Sequence, residues 1–307
     1  MRACIDIGGT KVAVSLNSGQ DLDLLARRVE PTAKTGDNGA LARQIIRMTD
    51  EACEEVGIAA ASVAQAGLSS CGPFVIKAGA VELAAPNICG GIAGPDRGLP
   101  NDWDTALLEA PLRQRFARVR VENDCIAALE AERRWGALQG MGHCAYVTWS
   151  TGVGVGLCVD GHVLRGKNGN AGHAGHMFVS DNADALCGCG NVGDVEGLVA
   201  GNAIARRFGA DAAALMQRAK EGDAAAEAMV DELCRVMGRA LYNLVATLDL
   251  QRISLGGSVF THNSDYLLPR LRAQLEGKLP ALTAGCELVR AGLAERVGDY
   301  AALALLD

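Results

Sequence analysis

The chain has 307 residues, of which 49% are apolar, so it is long enough for two lobes with substantial cores. Its formal net charge of −7 at pH 7 argues against a nucleic-acid partner, because binding a phosphate backbone requires a basic face. No run reaches the ~18 apolar residues of a membrane span, and the N-terminus leads directly into a predicted strand, so we expect a cytoplasmic protein with no membrane partner and no signal peptide.

The first half of the chain predicts a sheet flanked by helices. Two strands joined at Gly8–Thr10, with a third strand after them, predict an antiparallel start. A helix is predicted over roughly residues 40–56, with Leu41, Ile45, Met48 and Ala52 on its apolar face. The Gly- and Pro-rich stretch over 72–100 is predicted as mostly loop, and a helix near 103–116 leads to the strand "VRVEN".

The second half repeats this plan. Its strands "HCAYVTWS" and "VGVGLCVD" meet at Thr151-Gly152, as in the opening hairpin. A long helix is predicted over 223–248 with Asp223 as its N-cap, followed by the strand "RISLGG" and a helix near 294–306. We therefore predict an α/β fold of two lobes with a central cleft, which is where ligands usually bind.

Eleven cysteines are spread over the chain, which is not the pattern of a small disulfide scaffold. Most are predicted to be buried free thiols. Only Cys187 and Cys189, in "CGCGNVGDVE", have the spacing of metal ligands, and Asp194 stands where a third thiolate would suit a metal. The stretch is a metal site, a metal site that has lost a ligand, or a tight glycine turn that contains two cysteines.

Three predicted strand ends finish in small residues: "DIGGTK", "WSTGVG" and "LGGSV". Glycine lets the backbone approach a phosphate closely, and successive N–H groups form an anion nest. Asp6 could hold a hydrated Mg²⁺. Each turn alone is equally consistent with an ordinary hairpin or strand-to-helix turn. Together they predict a nucleotide site that has neither a Walker A loop nor a Rossmann fingerprint.

A carboxylate and two histidines are the further candidates. Asp124 follows a predicted strand, where it could accept a proton from an attacking hydroxyl, or it could act as a helix N-cap. The neighbouring Asn123 carries an amide suited to sugar hydroxyls. His173 and His176 lie three residues apart in a glycine-rich segment, and the alternative for them is a loop with surface histidines.

The motifs "DIGGTK", "VENDCIAA", "STGVGVG", "AGHAGHM" and "CGCGNVGDVE", in this order, resemble the ROK family of sugar kinases and sugar-responsive repressors over nearly the whole chain. The resemblance implies an actin-like (ribonuclease-H-like) two-lobe ATPase fold. The N-terminal lobe would comprise 1–121 and 295–307, and the C-terminal lobe 122–294. It further implies a homodimer that transfers a phosphoryl group from ATP, with Mg²⁺, to the 6-hydroxyl of a hexose or N-acetylhexosamine.

The resemblance assigns roles by position. Asp124 matches the catalytic base. The implied sugar-binding residues are Gly72, Asn87, Asn123, Asp124, His173, His176 and Glu196. The implied nucleotide-binding residues are Gly8, Gly9, Thr10, Lys11, Thr151, Gly152, Gly256 and Gly257, and Asp6 is the candidate Mg²⁺ residue beside them.

Two departures from the family pattern bear on substrate and metal. His173 stands where many members have a glutamate, and bacterial N-acetylmannosamine kinases are similar here, so N-acetylmannosamine is the first expected substrate and glucose the second. Asp194 replaces the family's third cysteine. Since zinc accepts carboxylate oxygen, the resemblance implies a structural Zn²⁺ held by His176, Cys187, Cys189 and Asp194, with lower affinity than a site with a third thiolate.

Two other functions agree with the same motifs: a sugar-responsive regulator lacking its DNA-binding domain, and a non-catalytic sugar-binding module. The glycine turn at residue 8 leaves no room for an N-terminal helix-turn-helix domain, and the chain is acidic. The chain also has Asp124 and "DIGGTK", which match the catalytic base and a phosphate loop of the family. These features favour the kinase.

Overall fold

The computed structural model describes residues 1–19, 21–93, 96–181 and 185–306. The first sheet contains the predicted opening hairpin. Its strands are β1 (Arg2–Ile7), β2 (Lys11–Asn17), β3 (Leu24–Pro31), β4 (Gln65–Ser70) and β8 (Arg118–Asn123). Their order is β3-β2-β1-β4-β8, in which β1, β4 and β8 are parallel and β2 and β3 complete an antiparallel edge.

A small second sheet contains three antiparallel strands: β5 (Phe74–Lys77), β6 (Ala80–Leu83) and β7 (Ala106–Leu107). The helices that accompany the first two sheets are α1 (Ala40–Glu55), α2 (Glu109–Arg115), α3 (Asp124–Trp135) and, at the end of the chain, α11 (Val297–Ala304). The predicted apolar face of α1 is fully buried, so its period of 3.6 residues reflects packing against the sheet.

The third sheet repeats the strand order of the first. Its strands are β9 (Cys144–Trp149), β10 (Val153–Val159), β11 (His162–Val163), β12 (Arg252–Gly256) and β13 (Glu287–Arg290), in the order β11-β10-β9-β12-β13. Again a hairpin is followed by two parallel strands.

Seven α-helices lie between β11 and β13 in the described part of the chain: α4 (Val195–Val199), α5 (Gly201–Phe208), α6 (Ala212–Lys220), α7 (Ala224–Leu248), α8 (Ser258–Thr261), α9 (Ser264–Leu275) and α10 (Pro280–Thr283). Asp223 caps α7 as predicted, because its side chain accepts the N–H groups of Ala225 and Ala226. Within the described ranges, none of the helices is both long and apolar enough to cross a membrane.

The chain divides into two compact units. The first contains Met1–Ala131, Arg165–Ala171 and Arg296–Asp307, and the second contains Glu132–Leu164 and Gly172–Glu295. The bounds differ from those of the predicted lobes, since residues 122–131 and the short segment 165–171 pack with the first unit. Each unit has its own cluster of buried apolar side chains.

Two local predictions differ from the structure. The stretch predicted as mostly loop contains β5 and β6. The helix predicted near 103–116 is shorter, because the chain before Glu109 forms β7 on the edge of β6. Pro111 lies in the first turn of α2, where its missing N–H is tolerated, so the helix begins just before it.

Candidate active site and metal centre

Three parallel strands of the first sheet end at one edge, and candidate site residues follow each of them. In the register, Ser70 of β4 lies opposite Asn123 of β8. The Gly8–Gly9 turn follows β1, Gly72 follows β4, and Asp124 follows β8. The sheet therefore brings the candidate phosphate turn, a candidate sugar loop and the candidate base to one place in the first unit.

Asp6 and Asp124 are close enough for their charges to interact. Burial and the negative charge of Asp124 raise the pKa of Asp6 to about 6, and a hydrogen bond from Ser69 only partly offsets this. A buried carboxylate beside a second negative charge is an environment that favours a nearby cation. This arrangement fits a hydrated Mg²⁺, which takes one or two carboxylates together with phosphate oxygens.

Asp124 is the first residue of α3 and also serves the helix start. Its Oδ1 accepts the N–H of Cys125 at 2.8 Å, and Oδ1 of Asn123 accepts the same N–H at 3.0 Å. These bonds fix both side chains at the end of β8. Asn123, which precedes the helix, therefore occupies the capping position predicted for Asp124, and Asp124 is the first helical residue.

The candidate phosphate turn and the candidate sugar loop of the first unit are in direct contact. A Cβ atom on Gly9 would lie 2.0 Å from Nδ2 of Asn87, so a larger residue there would displace the Asn87 side chain. Thr32, which the sequence did not single out, holds the turn: its hydroxyl donates to Gly8 O at 2.7 Å and its N–H donates to Thr10 O at 3.1 Å.

A second residue missed from sequence, Asn101, orders the loop that carries the exposed Asn87. Its Nδ2 donates to the carbonyls of Ile88 and Lys34, both at 2.9 Å, and its Oδ1 accepts the N–H of Gly90 at 2.9 Å. A loop side chain can bind a ligand precisely only if its backbone is fixed, and Asn101 supplies that support.

The second unit presents its two candidate nucleotide turns at one edge of the third sheet. Thr151 and Gly152 connect β9 to β10, and Gly256 ends β12 beside β9. Gly257, at φ +86°, packs so closely on Trp149 that a Cβ atom would lie 2.5 Å from the main chain of Trp149. The close approach of the two turns explains why this strand end requires glycine.

The glycines of "AGHAGH" bring the two histidines against β10. A Cβ atom on Gly172 would lie 1.9 Å from Val155 O, and one on Gly175 would lie 2.1 Å from Val153 O. The segment therefore packs closely against β10 at two positions three residues apart, Gly172 and Gly175. His173 and His176, each following one of these glycines, have stacked rings with centroids 6.2 Å apart.

Four side chains form a compact cluster in the second unit: His176, Cys187, Cys189 and Asp194. Their potential ligand atoms all lie within 4.8 Å of one another. Nδ1 of His176 lies 3.1 Å from Asp194 Oδ2, 3.7 Å from Cys187 Sγ and 3.5 Å from Cys189 Sγ. One imidazole, two thiols and one carboxylate are a donor set that suits tetrahedral zinc.

The electrostatics of the cluster also suit a cation. Burial, reinforced by the carboxylates of Glu196 and Asp194, raises the pKa of Cys187. The Asp194 carboxylate is buried, yet hydrogen bonds from His176 and from the Gly197 N–H lower its pKa. A bound Zn²⁺ would stabilise the thiolate that burial disfavours, so the residues present fit the metal.

Glu196 connects the cluster to the nucleotide turn of the same unit. Its Oε2 accepts the N–H of Val153 at 3.0 Å, and a Cβ atom on Gly152 would lie 2.7 Å from that oxygen. Its Oε1 lies 3.6 Å from Cys187 Sγ. The residue expected to bind sugar therefore also supports the backbone of the Thr151–Gly152 turn.

The structure distributes the predicted site residues over both units. The first unit contains Asp6, Gly8, Gly9, Thr10, Lys11, Gly72, Asn87, Asn123 and Asp124. The second contains Thr151, Gly152, His173, His176, Cys187, Cys189, Asp194, Glu196, Gly256 and Gly257.

Comparisons of the sequence and of the structure with known proteins all find ROK-family proteins or sugar kinases. A sequence profile of the ROK family matches residues 2–306. The chain is 32% identical over 265 residues to an N-acetylmannosamine kinase from Escherichia fergusonii, covering 83% of this chain and 82% of the relative. It is 27% identical over 327 residues to a glucokinase from Aeropyrum pernix, with 98% and 95% covered. The crystal structure of a ROK hexokinase from Thermus thermophilus superposes with a TM-score of 0.74 at 30% identity, covering 99% and 97%.

Proposed function

The chain belongs to the ROK family and is a sugar kinase with the actin-like two-lobe fold, and from this premise we propose that it transfers the γ-phosphoryl group of ATP to the 6-hydroxyl of an N-acetylhexosamine or hexose. N-Acetylmannosamine is the proposed first substrate and glucose the second. The observation that carries the proposal is the meeting of Asp124, Asn123 and the Gly8–Gly9 turn at one edge of the first sheet.

Asp124 is the proposed general base. Its position at a strand end, beside the amide of Asn123, suits a carboxylate that accepts the proton of a sugar hydroxyl as that hydroxyl attacks phosphorus. Phosphoryl transfer depends mainly on positioning and charge neutralisation, so a correctly placed base and fixed phosphates suffice on the protein's side.

The phosphates would be held by the glycine turns, whose N–H groups and hydroxyls suit anions. The residues proposed for the nucleotide are Gly8, Gly9, Thr10, Lys11, Thr151, Gly152, Gly256 and Gly257. Asp6 would hold hydrated Mg²⁺, which supplies charge neutralisation for the phosphate oxygens.

The zinc would be structural. His176, Cys187, Cys189 and Asp194 would hold it, and its contribution would be to fix the His176 imidazole and the start of α4. Asp194 contacts both of these parts. Its Oδ2 lies 3.1 Å from His176 Nδ1, and its Oδ1 caps α4 by accepting the Gly197 N–H at 2.7 Å. Sugar contacts proposed for this unit are His173, His176 and Glu196.

The substrate proposal depends on His173. An imidazole in place of a carboxylate changes the hydrogen bonds offered to the sugar, and a relative with 32% identity carries the name N-acetylmannosamine kinase. The alternatives, a regulator or a non-catalytic sugar-binding module, are less favoured because the chain has both Asp124 and the "DIGGTK" turn. The homodimer and the cytoplasmic location expected from sequence stay predictions.

The experiment is a coupled ADP-release assay with ATP and Mg²⁺ over glucose, mannose, fructose, N-acetylglucosamine and N-acetylmannosamine. We expect sugar-dependent ADP release, highest with N-acetylmannosamine. Release that is independent of sugar, or none with any sugar, would contradict the kinase assignment. A preference for another sugar of the panel would correct only the substrate.

A further inference from the structure

A short segment from the second half of the chain, Arg165–Ala171, packs as part of the first unit. We call it the returning loop. Its ends are joined, because the N–H of Ala171 donates to the carbonyl of Arg165 at 3.0 Å, and Gly166 and Gly169 take positive φ angles of 71° and 77° to close it. The returning loop is therefore a compact element with a defined shape.

Asn170 binds the main chain of Phe74 with both ends of its side-chain amide. Its Oδ1 accepts the Phe74 N–H at 2.8 Å and its Nδ2 donates to the Phe74 carbonyl at 2.7 Å. Gly169 lies against the buried Phe74 ring, since a Cβ atom there would be 3.4 Å from Cδ2. The amide thus acts as a strand partner for the first residue of β5, two residues after Gly72.

Arg165 makes the second attachment. Its Nε donates to Glu122 Oε1 at 2.6 Å and its Nη2 donates to Glu130 Oε1 at 3.2 Å. The Glu122 side chain is only 6% exposed and lies two residues before Asp124. A carboxylate this deeply buried requires a paired cation. Although burial acts to lower the pKa of Arg165, Glu122 and Glu130 outweigh it and raise that pKa, so Arg165 stays charged.

The two attachments hold two of the segments that carry proposed sugar contacts of the first unit. One end fixes the chain next to Gly72, and the other fixes the end of β8 next to Asn123 and Asp124. We infer that the returning loop is a positioning element for the sugar, with Asn170 setting the place of the Gly72 segment and Arg165 that of the β8–α3 junction. The inference rests on the proposed function and extends it to residues that do not touch sugar.

The test is direct sugar binding, measured by titration calorimetry with N-acetylmannosamine and with glucose in the absence of nucleotide. Asn170→Ala should weaken sugar binding about five- to thirtyfold, the range expected for losing one or two net hydrogen bonds that hold the contact segment. ATP binding, measured separately without sugar, should stay within twofold of wild type, about the error of such a comparison.

Asn17→Ala is the matched control. Asn17 also holds a turn of the first unit through its amide, donating to the carbonyls of Asp21 and Asp23 at 2.9 and 3.0 Å, but at the far end of β2 from the phosphate turn. Both variants should unfold at similarly lowered temperatures. Only Asn170→Ala should lose sugar affinity, which separates positioning from a general loss of stability.

Arg165 should show a different kinetic pattern. Arg165→Met should lower kcat more than it raises the KM for sugar, because it disturbs the segment that carries Asp124. Arg165→Lys should recover part of kcat by keeping the cation, although lysine cannot bridge two carboxylates with a planar fork. Equal changes of kcat in the Met and Lys variants would contradict the role of the paired charge.

The outcomes separate this inference from the proposed function. Wild-type protein that binds no sugar of the panel would overturn both. Wild-type protein that binds sugar, together with Asn170→Ala protein that binds it equally well, would overturn the role of the returning loop and leave the kinase standing. An Asn17→Ala variant as defective in sugar binding as Asn170→Ala would also overturn it.

Discussion

Oδ2 of Asp194 lies 3.1 Å from Nδ1 of His176, while Oδ1 of the same carboxylate caps α4. We expect protein purified without chelator to contain close to one zinc per chain by metal analysis. Asp194→Asn should weaken zinc binding but keep the cap, because the amide oxygen can still accept the Gly197 N–H. Asp194→Cys should tighten zinc binding, since thiolate suits zinc better, yet lower the stability of the metal-free protein by ~1 kcal/mol through loss of the cap.

Competition with a chelator measures the zinc affinities, and urea unfolding with and without metal measures the stabilities. Asp194→Ala should lose both functions, and sugar affinity should fall with zinc affinity. Cys187→Ser should be more damaging still, because it removes a thiolate from a site that has only two. Equal zinc affinity in wild type and Asp194→Asn would show that the carboxylate is not a ligand.

Asp124→Asn should lower kcat by about 10²–10⁴, the usual contribution of a general base, and leave sugar binding nearly intact. The amide keeps the shape of the side chain and the bond to the Cys125 N–H but cannot accept a proton. Steady-state kinetics and calorimetry with the best sugar provide the two readouts. Asp102→Asn, at an exposed position of the same unit, is the control. Retention of most of kcat would exclude Asp124 as the base.

His173→Glu should change the ranking of sugars by kcat/KM, because it restores the carboxylate common in the family. A hydrogen-bonding partner left unpaired in a polar site costs about 1–3 kcal/mol, so the ratio between two sugars should shift by about five- to 150-fold. The exposed His162 on β11 provides the control substitution His162→Glu. An unchanged ranking would place His173 outside the sugar site.

Asp6→Asn should stabilise the protein at pH 8 more than at pH 5. The folded-state pKa of Asp6, about 6, lies above the ordinary value of 3.8, so the folded protein binds more protons between these values. The contribution of Asp6 to stability is therefore present at low pH and is lost as pH rises through 6. The difference between the two pH values should be about 1 kcal/mol.

Urea unfolding at both pH values in EDTA, without nucleotide, tests this prediction. The control Asp102→Asn should show no such pH dependence. Because Asp6 is also the proposed Mg²⁺ residue, the stabilised variant should lose phosphoryl transfer. A stability gain that is the same at pH 5 and pH 8 would show that Asp6 is not held in a raised-pKa environment.

Glu132→Gln should destabilise the second unit by about 1.5–3 kcal/mol, the usual strength of hydrogen bonds to a charged group. The fully buried carboxylate accepts the N–H groups of Ala137, Gly292 and Leu293 and the hydroxyl of Ser254, at 2.8 to 3.1 Å. Glutamine would direct an NH₂ group at some of these donors. Urea unfolding measures the loss, and Glu54→Gln on the exposed face of α1 should be nearly neutral.

Elements with strong local signals could be predicted from the sequence. The period of α1, the Asp223 cap of α7 and the glycine turn of the opening hairpin are each determined by residues close in sequence. The hairpin of β5 and β6 was not predictable in this way. Its two turn residues, Ala78 and Gly79, both have positive φ, at 49° and 75°, and alanine rarely takes that conformation.

The residues of the candidate site also differ in whether a local sequence signal identifies them. The motifs that contain Asp124, His176 and Cys187 are local, so their residues could be named before the structure. Asn170 could not, because its partner Phe74 lies 96 residues away and a lone asparagine gives no local signal. Supporting residues of this kind become visible only when the fold brings distant segments together.

The separate apolar clusters of the two units have a consequence for how the protein unfolds. Cooperative unfolding requires that the loss of one part of a core expose the rest, and in the described part of the chain neither buried cluster shares a residue with the other. We therefore expect each unit to unfold as a separate cooperative unit. The proposed sugar contacts lie in both units, so bound sugar should slow amide hydrogen exchange in both, and protection confined to one unit would show which of them holds the sugar.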